Sequence, residues 1–129
     1  MDITINDTRS VADIQEEFTQ SFPYLRLEFF SRPHKTGKPS PRSQMLQNTR
    51  TLGEIRTTHL DGEIQITPSM TVSVLELEFM KHYGLSVQVF RKSGRVWLET
   101  TVTDGWTLAE QNAQGEALSA PRNDSRFAE

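Results

Sequence analysis

Two segments of the chain share one order of hydrophobic and polar positions. The first opens with the alternating run Ile3-Thr4-Ile5, and the second opens with Ile64-Gln65-Ile66. Each run is followed by an apolar stripe at helical spacing and then by a second alternating run at residues 25–30 or 85–90. The stripes consist of Val11, Ile14, Phe18 and Phe22 in the first segment, and of Val72, Leu75, Phe79 and Tyr83 in the second. This correspondence predicts two similar strand–helix–strand halves and therefore an internal repeat.

The ends of both predicted helices carry residues that start or stop helices. Ser10 and Thr71 stand where an N-cap belongs, since their hydroxyls can accept a first-turn N–H. Pro23 cannot continue the first helix, and Gly84 can adopt the left-handed conformation that ends the second. The helices are therefore predicted over residues 11–22 and 72–83.

A β-hairpin is predicted after the second alternating run. Ser93-Gly94 can form a two-residue turn that leads into a strand at residues 95–102. In that register Phe90 lies opposite Trp97, and both point away from the face that meets the helices, because side chains alternate along a strand.

The resulting element order predicts an α+β fold. Two strand–helix–strand halves would form a mixed or antiparallel sheet with two helices on one face, in a ferredoxin-like arrangement or, alternatively, a β-grasp-like one. We expect a single domain at residues 1–103, with an irregular basic loop at 31–50 that is rich in Pro, Gly, Ser and Lys. Residues 104–129 are expected to be a largely irregular or disordered C-terminal tail.

Size and composition narrow the class of protein. The chain has 129 residues, 35% of them apolar, which suits one small domain with a modest core. Cysteine is absent, so disulfides and thiolate metal sites are excluded. The N-terminus lacks the apolar run of a signal peptide, and we find no run long enough to span a membrane. We therefore expect a cytoplasmic protein without a membrane partner.

Three aromatic residues are the first candidate for a binding surface. Phe30, Phe90 and Trp97 are predicted to share the outer face of the sheet, where exposed rings call for an explanation. The C-terminal tail could fold back and cover them. Otherwise they could bind a protein partner or a second copy, since aromatic anchors are enriched in such interfaces.

The second predicted helix is the other candidate surface. Beyond its core stripe it carries Val74, Leu77 and Met80, whereas the first helix has only its stripe and Ala12. A helix that is apolar on more than one side must be covered. Either a loop or the other helix buries these residues, or they face a partner.

A basic loop supports an alternative function. No acidic residue lies between Glu28 and Glu54. In that interval Arg32, Lys35, Lys38 and Arg42 could contact phosphates with little ordering of the backbone. Together with the aromatic face, they would make a weak binder of single-stranded nucleic acid. The net charge of −3 argues weakly against a dedicated nucleic-acid binder.

Sequence motifs for catalysis are missing. There is no glycine-rich phosphate loop and no nucleophile elbow. His59, Asp61 and Glu63 are close in sequence and could in principle hold a metal, but Asp61-Gly62 is more typical of a turn. We therefore predict no catalytic residue, no cofactor and no metal site. The leading hypothesis is a non-catalytic interaction module, and a small enzyme of unknown chemistry comes last.

Overall fold

The structure, a computed structural model, describes residues 1–32, 38 and 41–119. They form an α+β fold, which confirms the predicted fold class. In chain order the elements are β1 (Asp2–Ile5), α1 (Val11–Ser21), β2 (Leu25–Phe30), a 3-10 turn (Arg42–Gln44), α2 (Leu52–Ile55), β3 (Gly62–Gln65), α3 (Val72–Tyr83), β4 (Ser86–Ser93), β5 (Val96–Glu99) and α4 (Leu108–Ser119).

Both long predicted helices begin at their predicted caps. At α1 the Asp13 N–H donates to Ser10 Oγ over 3.1 Å, and the Ser10 N–H donates back to Asp13 Oδ2 over 3.0 Å. At α3 the Val74 N–H donates to Thr71 Oγ1 over 3.2 Å. Gly84 then ends α3 with a φ of 64°, a conformation that favours glycine. These local signals therefore set the helix boundaries.

The strands form two antiparallel sheets rather than the one sheet that was expected. β1 pairs with β3, and β2, β4 and β5 form a second sheet in that order. In the first sheet Ile3 lies opposite Ile64, and in the second Glu28 lies opposite Gln88. The strands before and after α1 thus pair with the strands before and after α3. Each of these two pairings joins the first half of the chain to the second.

The main core lies between the helices and the inner face of the larger sheet. Leu27 and Phe29 of β2 point into it, opposite Val89 and Val87 of β4. The Phe29 and Phe79 rings meet edge to face, with centroids 6.1 Å apart. The first three residues of each helix stripe are fully buried: Val11, Ile14 and Phe18 in α1, and Val72, Leu75 and Phe79 in α3. One core therefore serves both halves.

The C-terminal segment contains a helix, so the expectation of a largely irregular tail is wrong for residues 108–119. The Glu110 N–H donates to Thr107 Oγ1 over 3.1 Å, and the Thr107 N–H donates to Glu110 Oε1 over 3.0 Å. This capping box starts α4, whose Leu108 is fully buried. Asn112 Oδ1 accepts the Tyr24 N–H over 2.8 Å and ties α4 to the start of β2. Residues 120–129 lie outside the described residues.

The described part of the basic loop is partly ordered by contact with β2. Met45 forms an isolated bridge with Phe30, and the Leu46 N–H donates to the Phe29 oxygen over 2.8 Å. This segment therefore lies along the edge of β2.

No helix in the described part of the chain has the length and apolarity that a membrane crossing requires.

Truncation of the shared core should cost far more than truncation of the surface of the same helix. We expect Phe79→Ala to lower the free energy of unfolding by about 3–5 kcal/mol, because it leaves a cavity beside Phe29. Leu77→Ala on the exposed side of α3 should cost less than about 0.5 kcal/mol. Urea unfolding followed by circular dichroism measures both, and equal losses would contradict the assigned helix face.

Candidate functional site

The β4–β5 hairpin keeps the predicted face of each residue but not the predicted register. Ser93 pairs with Val96, so the turn residues are Gly94 and Arg95 instead of Ser93 and Gly94. Gly94 has a φ of 64°, which its lack of a side chain permits at the first turn position. Trp97 consequently lies opposite Lys92 rather than opposite Phe90. The slip is two residues between partners, so the side chains stay on the expected faces.

The expectation of an exposed aromatic face is wrong for Phe30 and Phe90. Their exposed fractions are 3% and 2%, whereas Trp97 is half-buried. Phe30 is bridged by Met45 along the edge of β2. Beside Phe90 lies the Arg26 guanidinium, 5.9 Å from the ring centroid. Of the three rings, only Trp97 remains partly available to a ligand.

Arg26 fills the space between the rings on the outer face. Its guanidinium carbon lies 4.9 Å from the centroid of Trp97, within the range of a cation–π contact. Glu28 Oε2 lies 3.8 Å from Arg26 Nη2, so this carboxylate also balances the charge of the guanidinium. A base or a partner ring would have to displace this side chain. The outer face is thus largely closed by its own residues.

The outer side of α3 exposes two of the three apolar residues that were candidates for burial or for contact with a partner. Val74 is 43% exposed and Leu77 is 59% exposed, while Met80 is half-buried. Val74 and Leu77 are three positions apart and therefore lie on one side of the helix. We call Val74, Leu77 and Met80 the α3 stripe. Glu78 and Lys81 flank it with charge.

Three of the four basic residues proposed to contact phosphates are described, and they lie on the surface. Arg32, Lys38 and Arg42 are exposed, and Lys35 lies outside the described residues. Because Phe30 and Phe90 are buried, these charges are not joined to a face of stacked aromatic rings. The geometry therefore adds nothing to the proposed nucleic-acid site.

A shallow polar cleft lies between β3 and the C-terminal part of α3. Its volume is about 270 Å³, and it is lined by Glu63, Ile64, Gln65, Glu78, His82 and Tyr83. His82 Nε2 lies 3.0 Å from Glu78 Oε2, one helical turn away. The Tyr83 hydroxyl donates to the Glu63 backbone oxygen over 3.1 Å. The Tyr83 hydroxyl thus links the two sides of the cleft, whereas the His82–Glu78 contact lies within α3.

A buried arginine, which the sequence did not reveal, joins the loop after β1, the loop before β3 and the end of α3. Arg56 has a fully buried side chain, and its Nε and Nη2 donate to Asp7 Oδ1 over 3.0 and 2.8 Å. Its Nη1 donates to the backbone oxygens of Leu60 (2.9 Å) and Tyr83 (3.4 Å). A buried charge needs such partners. Hydrogen bonds from this guanidinium, and then from His59, lower the pKa of Asp7 below its ordinary value of 3.8.

His59 belongs to the same hydrogen-bond network and is not part of a group of metal ligands. Its Nδ1 lies 2.8 Å from Asp7 Oδ2. In the part of the chain that the structure describes, no group of three or more His, Cys, Asp or Glu side chains could hold a metal ion. His59, Asp61 and Glu63 are therefore close in sequence without converging on a ligand.

Comparison with known proteins adds no relative to this picture. No family model matches the chain, and neither the curated proteins nor the solved structures give a significant match.

The Asp7–Arg56 pair should make stability depend on pH at the acid end. The pKa of Asp7 is lower in the folded chain than in the unfolded chain, so its carboxylate stabilises the fold above the ordinary value of 3.8. That contribution is lost as the pH falls through the lowered pKa. Asp7→Asn should therefore destabilise the fold at pH 7, and the gap to the parent protein should narrow below about pH 4.

Asp61→Asn is the matched control, because Asp61 Oδ1 lies 4.0 Å from Arg56 Nη2 and its side chain is 74% exposed. It should change stability little at any pH. Urea unfolding from pH 3 to pH 7 gives the comparison. A constant gap between Asp7→Asn and the parent protein would show that Asp7 does not carry the effect.

Proposed function

We propose that this chain is a non-catalytic protein-interaction module made of two equivalent halves, and that the α3 stripe is its docking surface. The partner would present an apolar groove or helix to Val74 and Leu77. Three features support this proposal: strand register, backbone hydrogen bonds, and a difference between α1 and α3.

The register of both central strand pairs supports the equivalence of the halves. Ile3 lies opposite Ile64, and Glu28 lies opposite Gln88. Ile3 and Ile64 correspond at the offset of 61 positions that aligns the two helix stripes, and Glu28 and Gln88 correspond at the offset of 60 that aligns residues 25–30 with residues 85–90. When a residue pairs with its own counterpart, a twofold axis that exchanges the two strands passes between the two residues. Each of the two strand pairs is therefore consistent with a local twofold relation between the halves.

The backbone hydrogen bonds at the helix starts also match. In each half, the first N–H of the long helix donates to the segment that precedes the next helix, which is α2 or α4. The first N–H of that next helix donates back to the segment that precedes the long helix. The bonds are Val11 to Arg50 O (2.9 Å) and Leu52 to Arg9 O (2.8 Å) in the first half, and Val72 to Trp106 O (3.1 Å) and Leu108 to Met70 O (2.8 Å) in the second. On this evidence α4 is the longer counterpart of α2, and both start with a Thr-Leu-x-Glu capping box.

The difference between α1 and α3 carries the functional proposal. The residues of α1 that correspond to Val74, Leu77 and Met80 are Asp13, Glu16 and Thr19. Asp13 and Glu16 are exposed and Thr19 is half-buried, as are their counterparts in α3. The environments match, yet one helix has polar side chains where the other has apolar ones. Folding alone therefore does not require the apolar residues of the α3 stripe, and contact with a partner supplies a reason for them.

The expected strength of docking follows from the exposed area. Covering the exposed parts of Val74 and Leu77 would contribute roughly 2 kcal/mol of hydrophobic free energy. That is an anchor for a transient complex and not for a permanent one. Glu78 and Lys81 would lie at the polar rim, where charges influence association rate and specificity.

The two described histidines each pair with a carboxylate. His59 is paired with Asp7, and His82 is paired with Glu78 on the next turn of α3. Each pairing also has a structural explanation: the first belongs to the Arg56 network, and the second places His82 near the negative end of its helix.

Transfer of the α1 residues onto α3 tests the proposal. We expect V74D/L77E to abolish partner binding while it changes the free energy of unfolding by less than about 1 kcal/mol. The V74D change also recreates the capping box of α1, because Thr71 is already the N-cap. Affinity purification from the host with quantified bound proteins measures binding, and urea unfolding measures stability.

Leu60→Glu is the matched control, since Leu60 is 60% exposed and Leu77 is 59% exposed. It should retain every partner that the parent protein binds. Equal capture by the double variant and the control would refute docking at the α3 stripe. Unfolding of the double variant would instead refute the equivalence of α1 and α3.

A further inference from the structure

We infer that a second copy of this chain pairs with the free edge of β5, antiparallel and centred on Trp97. This inference concerns a different surface from the α3 stripe and does not rest on the proposed function. Its basis is the backbone of β5, the order of side chains along it, and their exposure.

The backbone groups of Trp97 and Glu99 point away from β4. The Thr100 N–H donates to the Val89 oxygen over 3.3 Å, so the backbone of Thr100 faces β4. Backbone groups alternate in direction along an antiparallel strand, so Val96 and Leu98 also face β4, and Trp97 and Glu99 face outward. Among the described residues, no strand pairs with this outer edge. Free N–H and C=O groups along an edge are a template for another strand.

The residues along this edge are complementary to themselves. If two copies pair antiparallel about Trp97, Arg95 of each lies opposite Glu99 of the other. Val96 of each then lies opposite Leu98 of the other, and the two Trp97 residues face one another. The register therefore places opposite charges at both ends and apolar side chains between them. It also pairs the outward backbone groups of Trp97 with each other, as an antiparallel ladder requires.

The exposure of these side chains favours a covering strand. Val96 is 54% exposed and Leu98 is 45% exposed on the sheet face that they share with Val89. On the opposite face the Gln88 amide donates to Glu99 Oε2 over 3.3 Å and holds that carboxylate on the sheet. Natural edge strands are usually protected by charges, proline or bulges along their length. Here the charged residues stand only at the two ends of the edge, Arg95 and Glu99, and each would lie opposite a residue of the opposite charge in the second copy.

The choice of a second copy over another partner follows from this charge pattern. A foreign strand would need its own acid and base at matching positions, whereas this chain already supplies both. β5 has only four residues, so the dimer should be weak.

Charge reversal and mixing test the inference on the full chain. Sedimentation velocity from about 10 µM to 1 mM should show a reversible monomer–dimer equilibrium. R95E and E99R should each weaken dimerisation about tenfold or more, because each places two like-charged pairs across the interface. An equal mixture of R95E and E99R should dimerise again, since the mixed dimer has both charge pairs restored.

Controls separate this edge from the α3 stripe. K81E and L77E on α3 should leave the dissociation constant unchanged, and circular dichroism should show that all variants are folded. A monomer at every concentration would overturn the inference, and so would a mixture that fails to recover. A dimer that is lost in L77E but retained in R95E would place the contact on α3 and also overturn it.

Discussion

The fold depends on the antiparallel pairing of strands from opposite halves of the chain. β1 pairs with β3 and β2 pairs with β4, so each half contributes one strand to each central pair. Phe79 of α3 packs on Phe29 of β2, which belongs to the other half. Arg56 adds a polar link, because it binds Asp7 on one side and the Tyr83 oxygen on the other. Neither half can bury its apolar surface without the other.

This shared core leaves the outer surfaces of the halves free to differ. The core-facing residues Val11, Ile14 and Phe18 of α1 and Val72, Leu75 and Phe79 of α3 have the same spacing and are all fully buried, whereas the outer positions of the two helices differ in polarity. A side chain in the core must fit neighbours from both halves, and changes there cost several kcal/mol. An exposed helix position carries no such constraint. A docking surface could therefore arise on one helix without disturbing the arrangement that both helices share.

The sequence was most informative where a local physical signal decides the structure. The helix stripes, the caps Ser10 and Thr71, and the left-handed Gly84 could all be read from residue spacing and type. The hairpin turn was misplaced by one residue, because Gly94 can occupy either position of a two-residue turn. Alternation still fixed which face Trp97 occupies, because a slip of two residues between strands preserves parity.

The features that sequence analysis missed depend on distant contacts. Phe90 is shielded by Arg26 on a neighbouring strand, and nothing near Phe90 in the sequence reveals this. Arg56 is buried because Asp7 lies 49 positions away in sequence and accepts its hydrogen bonds. For α4 a local signal did exist, the capping box of Thr107 and Glu110. It was overlooked because the helix buries Gln111 and Gly115 in addition to Leu108, and so lacks a clear apolar stripe.

The mutual dependence of the two halves can be measured most directly by separating them. A cut in the exposed segment between Arg56 and Asp61 divides the chain into residues 1–58 and 59–129. Each half alone is expected to be unfolded by far-ultraviolet circular dichroism, and an equimolar mixture should regain the helix and strand signal with a cooperative urea transition. If either half folds cooperatively by itself, the strand pairs between the halves are not what holds the structure together.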